Sequence, residues 1–535
     1  MSIWKLLFTL LLIQSVGMAK PLTPEQKRSE FEHLSTLIKS SYGPYEYKRN
    51  HLKLSVDDLV EKYAQETANV SNLEFYYSVV RFIAEFKDSH FGARVDTNHV
   101  SKLGFIADRI QGKILIDEID RKLLPSSKFP LERGDEIISM GNKPIAEVVE
   151  ELSRHLGSGY AETALRGAAT MVGFRPSSTV APQYGTTTVV IRRGTSSIIE
   201  EVELSWHQSG DPVLEDPNAP KEEDASTWSR NKTNYDMISI EEFFAPIPKS
   251  EKSIRCSGKS RIHRPKDATV LIETPFVAYY HPTDKGNVGY LRIPHYYWKD
   301  AQGKDENDFR FLQYEWVIRE LEQNTVGLII DQDHNCGGSV NHLQNMVGLF
   351  AKESFKPLGF RFLSNRKEYL HFKDWVNDGD QYTIKGAAWR RVLEIVKLAW
   401  LNGETMSPMT SFSAEEQIHP NDFTYTKPII MLIDEMSGSG GDAFPAMLQG
   451  IGRATLMGNR TMGAGGHVEN LEAGLYFSGN TVRFTKSLFY HPNGTAIENN
   501  GATPDIQYNP SRDDFLYGYR EYQAAYLKEL MKLIP

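Results

Sequence analysis

Two serines lie in a glycine-rich turn in the stretch MLIDEMSGSGGDAF, which covers residues 431–444. The apolar run Ile429–Ile433 predicts a buried strand, and a helix is expected to begin near Gly441 and Asp442. Backbone N–H groups at a helix N-terminus are unsatisfied and partially positive, so a serine there would lie beside donors for an oxyanion. The spacing is not the G-x-S-x-G elbow of α/β-hydrolases, because residue 437 is Ser rather than Gly, and a purely structural turn stays an alternative.

A second apolar run also ends in glycines, in VGLIIDQDHNCGGSVNHL. Gly337 and Gly338 follow this predicted strand and precede a helical pattern. Loops at the carboxyl ends of parallel strands meet at one edge of a sheet. One loop could therefore present a nucleophile while the other supplies a second N–H to the oxyanion.

Four ordered motifs resemble those of peptidase family S41, which includes C-terminal processing proteases, tricorn core protease and chlamydial protease-like activity factor. LIIDQDHNCGG is similar to the family's strand-loop pattern, with Asp333 where Arg is common. MLIDEMSGSGGDAF is similar to its nucleophile pattern. GNRTMGAGG and NGTAIENNGATPDI resemble two later family segments.

The resemblance implies a serine-type peptidase acting on polypeptide substrates, with no cofactor. It places the nucleophile at Ser439 and makes Ser437 a nearby non-nucleophilic serine. It also implies that the oxyanion receives hydrogen bonds from the N–H of Gly440 and from that of Gly337 or Gly338.

One departure from the family pattern concerns the base that activates the serine. Relatives with a Ser/Lys site carry a lysine where this chain has Ala464, so another base is needed. The tricorn-like relatives use a histidine in an Asp-x-His motif, which corresponds here to His90. By the same resemblance His90 would take the proton of Ser439, and Glu498 would hold the imidazole in the right tautomer through Ser89.

Other assignments remain open at this point. His467 is the rival base because it lies close to the segment of the absent lysine. His334 and His342 flank the other glycine-rich loop and are expected to be structural. A catalytically inactive, peptide-binding relative of the same architecture is the alternative function, since the family lysine is missing.

The pattern along the chain predicts an α/β multidomain protein: an N-terminal helical segment, a PDZ-like β domain and an α/β core of the ClpP/crotonase-like S41 type. The PDZ resemblance rests on LERGDEIISMGNKPIAEVVEEL, and a generic small β domain is the alternative. The expected boundaries are 1–19 for a signal peptide, 20–100 for the helical domain with the base histidine, 101–206 for the PDZ-like domain, 207–285 for a linker or insert, 286–510 for the catalytic core and 511–535 for a C-terminal helix.

The N-terminus MSIWKLLFTLLLIQSVGMAK has the basic, apolar and small-residue regions of a secretory signal peptide. We therefore expect export to the periplasm or the medium, with no membrane span after cleavage. The chain of 535 residues has a formal net charge of -9, which argues against nucleic acid as a partner.

Only two cysteines occur, Cys256 and Cys336, so a disulfide scaffold and paired-cysteine metal sites are excluded. We expect the two to stay unpaired, although one bridge remains open in an oxidising compartment. No HExxH or other zinc-ligand spacing is present, so no metal site is predicted.

The resemblance to the chlamydial factor has two further implications. That protein carries an internal inhibitory segment removed by self-cleavage, and residues 207–285 would be the corresponding segment here. It is also a homodimer, so a homodimer is an expectation at the level of the family.

Overall fold

The computed structural model describes residues 21–194, 196, 198–213, 228–229, 260–299, 303–378, 384–412, 416–471 and 474–535. The expected signal peptide, much of the expected insert and Cys256 lie outside these residues. Among the helices that are described, none is long and apolar enough to cross a membrane.

The helices are α1 (Pro24–Ser41), α2 (Tyr45–Leu52), α3 (Val56–Thr67), α4 (Asn72–Ala84), α5 (Ile145–Ser153), α6 (Ala161–Thr170), α7 (Asn307–Asn324), α8 (Val340–Gly348), α9 (Arg366–Asp378), α10 (Ile384–Leu401), α11 (Gly440–Gly450), α12 (Arg512–Leu516) and α13 (Arg520–Leu533). The strands are β1 (Gly92–Arg94), β2 (Val100–Lys102), β3 (Phe105–Ile110), β4 (Lys113–Ile119), β5 (Glu136–Met140), β6 (Lys143–Pro144), β7 (Phe174–Pro176), β8 (Thr186–Arg192), β9 (Ile199–Ser205), β10 (His207–Ser209), β11 (Trp228–Ser229), β12 (Thr269–Ile272), β13 (Ala278–Thr283), β14 (Gly286–Arg292), β15 (Gly327–Asp331), β16 (Gly359–Phe362), β17 (Thr410–Ser411), β18 (Ile429–Ile433), β19 (Thr455–Gly458), β20 (Val468–Asn470), β21 (Thr481–Thr485), β22 (Ser487–Tyr490) and β23 (Ile506–Gln507).

Helices α1 to α4 form the predicted N-terminal helical segment. Helix α1 begins at a capping box in which Thr23 and Gln26 exchange side-chain-to-backbone hydrogen bonds. Its apolar residues Phe31 and Leu34 are buried, and Phe31 packs on Phe75 and Phe82 of α4. The turn after α4 leads into β1, which pairs antiparallel with β21, so the N-terminal segment is tied to the last third of the chain.

A small antiparallel sheet follows, in the order β3-β4-β5-β8-β9, with β6 paired to β5. Helices α5 and α6 pack on it, and Val149 and Ala168 share its core with Ile137 and Ile191. This β domain with two helices has the arrangement that the PDZ-like pattern predicts.

The α/β core is built on a seven-stranded sheet in the order β12-β13-β14-β15-β18-β19-β23. The strands from β14 to β23 run parallel, whereas β12 and β13 are antiparallel additions at the edge. Helices α7, α8 and α11 cover one face, and α13 covers the other. Because β15 and β18 are buried on both faces, their sequences are nearly continuous apolar runs. The expected fold class is confirmed.

Two element boundaries differ from the expectation. Strands β12 and β13 lie inside the stretch 207–285, so the core sheet begins upstream of residue 286. The C-terminal pattern forms two helices, because Gly518 and Tyr519 between them have positive φ values of 72° and 59°.

Candidate active site

The two glycine-rich loops meet at the carboxyl ends of neighbouring parallel strands. In the register of β15 and β18, Asp331 lies beside Leu432. A Cβ built on Gly337 would lie 2.6 Å from the Cβ of Ser439. The structure therefore brings together the nucleophile turn and the Gly337–Gly338 loop, as parallel strand geometry predicts.

Ser439 occupies a strained position between β18 and α11. Its φ of 59° and ψ of −113° fall where residues other than glycine are rarely found. The Ser439 N–H donates to Asp442 Oδ2 at 2.8 Å, which helps to hold the turn. Strained strand-to-helix turns of this kind present nucleophilic serines in hydrolases.

Ser437, two residues earlier, has a different environment. Its Oγ lies 2.8 Å from both the carbonyl oxygen of Gln332 and Oδ1 of Asp434. The side chain is completely buried. Ser437 thus links the two loops through its hydroxyl, which is engaged with these acceptors.

The candidate oxyanion donors are not equivalent. The N–H of Gly337 donates to Asn335 Oδ1 at 2.8 Å. Within the described part of the chain, the N–H groups of Gly338 and Gly440 donate to no protein acceptor. A Cβ built on Gly440 would lie 3.2 Å from the nitrogen of Gly338, so these two donors are neighbours. The geometry favours Gly338 and Gly440 as the pair that could bind an oxyanion beside Ser439.

Asp442 fixes the segment in which relatives carry a lysine. Its carboxylate accepts hydrogen bonds from the Thr461 hydroxyl, from Gly463 N–H at 2.8 Å and from Ala464 N–H at 3.0 Å, in addition to that from Ser439. Burial raises the pKa of Asp442 to about 6. The sequence showed Asp442 only as the start of a helix, and its role in joining this segment to the nucleophile turn required the fold.

His90 is completely buried in the turn after α4. Its backbone N–H donates to Asp88 Oδ1 at 2.7 Å, and Oδ2 of Asp88 accepts from the hydroxyls of Tyr42 and Thr485, both at 2.8 Å. Burial lowers the pKa of His90 to about 4. The imidazole is therefore neutral near pH 7, which is the form that can accept a proton.

Glu498 is completely buried and is held on both carboxylate oxygens. Lys48 Nζ donates to Oε1, and the N–H of Gly465 donates to Oε2 at 2.9 Å. The same Lys48 ammonium donates to the carbonyl oxygen of Lys87 at 2.8 Å and to Asn499 Oδ1 at 2.6 Å. Burial raises the pKa of Glu498 to about 8, with Lys48 acting in the opposite direction. Sequence reasoning missed Lys48, because a lysine in a short polar helix is ordinarily a solvated residue.

The remaining two candidates have the following surroundings. The Ser89 hydroxyl is buried and has no hydrogen-bond partner among the described residues, so it makes no bridge to Glu498 in this structure. His467 Nδ1 lies 2.8 Å from Ser487 Oγ, and burial lowers the pKa of His467 to about 3. His467 and His90 are close enough to interact electrostatically, so both rings lie in one buried region.

The expectation that the cysteines stay unpaired is wrong for Cys336, which is disulfide-bonded. Cys256, the other cysteine of the chain, lies outside the described residues. The expectation relied on separation along the sequence, which does not limit proximity in the fold.

Comparison with known proteins defines the class of this site. Residues 287–508 match the model of peptidase family S41, and residues 98–215 match that of a PDZ domain. The glycine-rich loops, Ser439 and Glu498 lie within the first match. Residues 287–508 therefore form an S41-type peptidase domain downstream of a PDZ domain, and the chain is a serine-type peptidase.

Three relatives that match over most of the chain are chlamydial. The chain is 27% identical to a protein of Chlamydia trachomatis serovar D over 602 residues, covering 99% of this chain and 97% of the relative. It is 26% identical to an uncharacterised protein of Chlamydia muridarum over 565 residues, covering 94% and 92%. The crystal structure of mature CPAF, the chlamydial protease-like activity factor, superposes with a TM-score of 0.79 at 23% identity, covering 96% of this chain and 98% of that one. This likeness shows a shared fold.

Proposed function

We propose that the chain is an exported serine endopeptidase that hydrolyses peptide bonds through a Ser-His-Glu type site formed by Ser439, His90 and Glu498. The observation that carries the proposal is the strained turn at Ser439 beside the N–H groups of Gly338 and Gly440. A serine, two converging donors and a water-poor setting are what acyl transfer requires.

In this mechanism neutral His90 accepts the proton of Ser439 Oγ as that oxygen attacks the substrate carbonyl. The N–H groups of Gly338 and Gly440 bind the negative charge that develops on the carbonyl oxygen. His90 then donates its proton to the leaving amine as the C–N bond breaks, which leaves the acyl group on Ser439. A water molecule that gives its proton to His90 hydrolyses this ester and regenerates Ser439. Glu498 supports His90 indirectly, since Lys48 joins the Glu498 carboxylate to the carbonyl of Lys87, three residues before the histidine.

Three further parts of the proposal concern the whole chain. The signal-peptide pattern of residues 1–19 supports export to the periplasm or the medium. The polar stretch 207–285 contains an inhibitory segment that the enzyme removes by self-cleavage, and the mature enzyme is a homodimer. Purified wild-type protein that is fully active while its chain remains intact would contradict the self-cleavage.

The test is casein hydrolysis by the chain without residues 1–19, as wild type and as Ser439→Ala. The variant is expected to lose hydrolysis while its circular dichroism spectrum stays that of the wild type, because only one hydroxyl is removed. A Ser439→Ala variant with wild-type activity would overturn the assignment. If His467→Ala abolishes hydrolysis and His90→Ala does not, the base is His467.

A further inference from the structure

One segment of the PDZ domain contacts every loop that carries a proposed catalytic residue. We call residues 157–166 the bridging segment; it follows α5 and includes the first turns of α6. It lies within the residues that match the PDZ domain and outside those that match the S41 domain. Its contacts therefore join the two domains at the active site.

The start of the bridging segment packs directly on the turns of His90 and Glu498. A Cβ built on Gly157 would lie 2.8 Å from the carbonyl oxygen of Asp88, which leaves no room for a side chain. A Cβ built on Gly159 would lie 1.5 Å from Nδ2 of Asn499. At Gly157 the clash is with backbone, whereas at Gly159 a side chain would require Asn499 to move.

The next residues reach the loops around the nucleophile. The Arg460 guanidinium lies over the Tyr160 ring, 4.0 Å from its centroid, and belongs to the segment that Asp442 organises. The Thr163 hydroxyl donates to the carbonyl oxygen of Glu435 at 2.7 Å. These contacts extend the bridge to the strand end that precedes Ser437 and Ser439.

Arg166 makes the strongest of these connections. It donates to both carboxylate oxygens of Asp108 within the PDZ domain, at 2.8 and 2.9 Å. Two further contacts cross the domain boundary, to Asp434 Oδ2 at 3.2 Å and to Glu435 Oε1 at 3.1 Å. All of these charged groups are buried, so their interactions are weakly screened by water.

Asp434 also forms hydrogen bonds with both catalytic loops, the one that precedes Ser439 and the one that carries Gly337 and Gly338. Its Oδ1 lies 2.8 Å from Ser437 Oγ and accepts the N–H of His334 at 2.8 Å. Ser437 is two residues before the nucleophile, and His334 is three residues before Gly337. A cavity of about 460 Å³ between the domains is lined by Arg166, Asp434 and Glu435 among other residues.

We propose that Arg166 is a positioning residue of the peptidase reaction, through which the PDZ domain holds the nucleophile turn and the oxyanion loop in register. The inference rests on the proposed function, since it takes Ser439 as the nucleophile. Arg166 acts through Asp434 and touches no reacting atom, so its loss slows acylation and leaves substrate binding largely intact.

The test compares Arg166→Gln and Arg166→Lys with Arg193→Gln. Arg193 pairs with Asp135 and Glu200 inside the PDZ domain and makes no contact with the catalytic loops, so it is a matched control. Coupling of this kind typically changes rates by about 3- to 30-fold. We expect Arg166→Gln to lower kcat for a short peptide ester, and the rate of labelling by a fluorophosphonate, by about 10-fold, with KM changed less than about 2-fold. Arg166→Lys should recover part of the loss, and Arg193→Gln should behave as wild type.

A gentler variant covers the case in which Arg166→Gln does not fold. Thr163→Val conserves shape, adds no charge and removes only the hydrogen bond to Glu435, so it should lower the labelling rate by about 3-fold. Wild-type rates in both Thr163→Val and Arg166→Lys, or a loss in Arg166→Gln that appears in KM alone, would overturn the inference. Absence of labelling in the wild type would instead overturn the proposed function, and the inference with it.

Discussion

Lys48 and Glu498 form an ion pair between two completely buried side chains that lie 450 residues apart in the sequence. The lysine belongs to α2 of the N-terminal helices, and the glutamate belongs to the S41 domain. Through Lys48, the Glu498 carboxylate is connected to the backbone that leads into His90. The pair therefore fixes the relative position of two proposed catalytic residues.

Replacing Lys48 by Met should destabilise the protein and lower kcat. At pH 9, above the Glu498 pKa of about 8, removing Lys48 leaves the Glu498 carboxylate buried and unpaired, which typically costs about 3 to 5 kcal/mol. Urea denaturation measures this loss. Lys48→Met/Glu498→Gln should recover part of it, because the second change removes the uncompensated carboxylate.

The matched control is Lys39→Met, which breaks an exposed pair with Asp57 in the same helical segment. Exposed pairs contribute little to stability, so a much smaller change is expected. Equal midpoints for Lys48→Met and Lys39→Met would contradict the structural role of the buried pair.

Two glycines with similar backbone angles allow the active-site geometry to be tested. Gly337 and Gly452 have φ values of 77° and 66°, but a Cβ meets Ser439 and Gly440 at the first position and nothing within 4 Å at the second. Both alanine variants should lose about 1 kcal/mol from the positive φ. Gly337→Ala should in addition lower kcat by about 100-fold, because misplacement of a reacting group by about 1 Å has that effect.

Peptide-ester kinetics with thermal unfolding distinguishes the two effects. Gly452→Ala should keep wild-type kcat despite its lower midpoint. If Gly337→Ala keeps it as well, the close contact between the oxyanion loop and Ser439 is not needed for catalysis.

Catalysis should persist at a pH where an ordinary histidine base is already protonated. Burial lowers the pKa of His90 to about 4, and His90 must be neutral to accept the serine proton. The acid limb of kcat/KM is therefore expected near pH 4. A limb near pH 6.5 that is also present in Asp442→Asn, which lacks the carboxyl of pKa about 6 in the nucleophile turn, would contradict a buried His90 as the base.

The same shift affects stability. His90 takes up a proton near pH 6.5 when unfolded and near pH 4 when folded, so the unfolded state binds more protons between these values. Its contribution to the free energy of unfolding is complete above about pH 6.5 and decreases as the pH falls, by up to about 1.4 kcal/mol per pH unit. Urea titrations of wild type and His90→Gln at pH 5 and 7 measure this contribution. The free energy of unfolding of the wild type minus that of the variant should be smaller at pH 5 than at pH 7.

The nucleophile turn could be predicted from sequence because its signals are local. Apolar strand, glycines and helix start follow one another within residues 429–442, and the glycine pair at 337 and 338 repeats the pattern. The sequence could not decide between Gly337 and Gly338 as the donor, because Gly337 is excluded only by the hydrogen bond that its N–H donates to the Asn335 side chain. Lys48 and Arg166 were missed for a different reason: each acts on a partner hundreds of residues away, and burial of a charge leaves no local pattern.

The central claim is that Ser439 is a nucleophile activated by His90. It is tested most directly by labelling the protein with a fluorophosphonate and locating the adduct by peptide mass spectrometry. We predict an adduct on Ser439 in the wild type, a labelling rate reduced by about 100-fold or more in His90→Ala, and a near wild-type rate in His467→Ala. An adduct on Ser437, no adduct on any serine, or unchanged labelling of His90→Ala would contradict the claim.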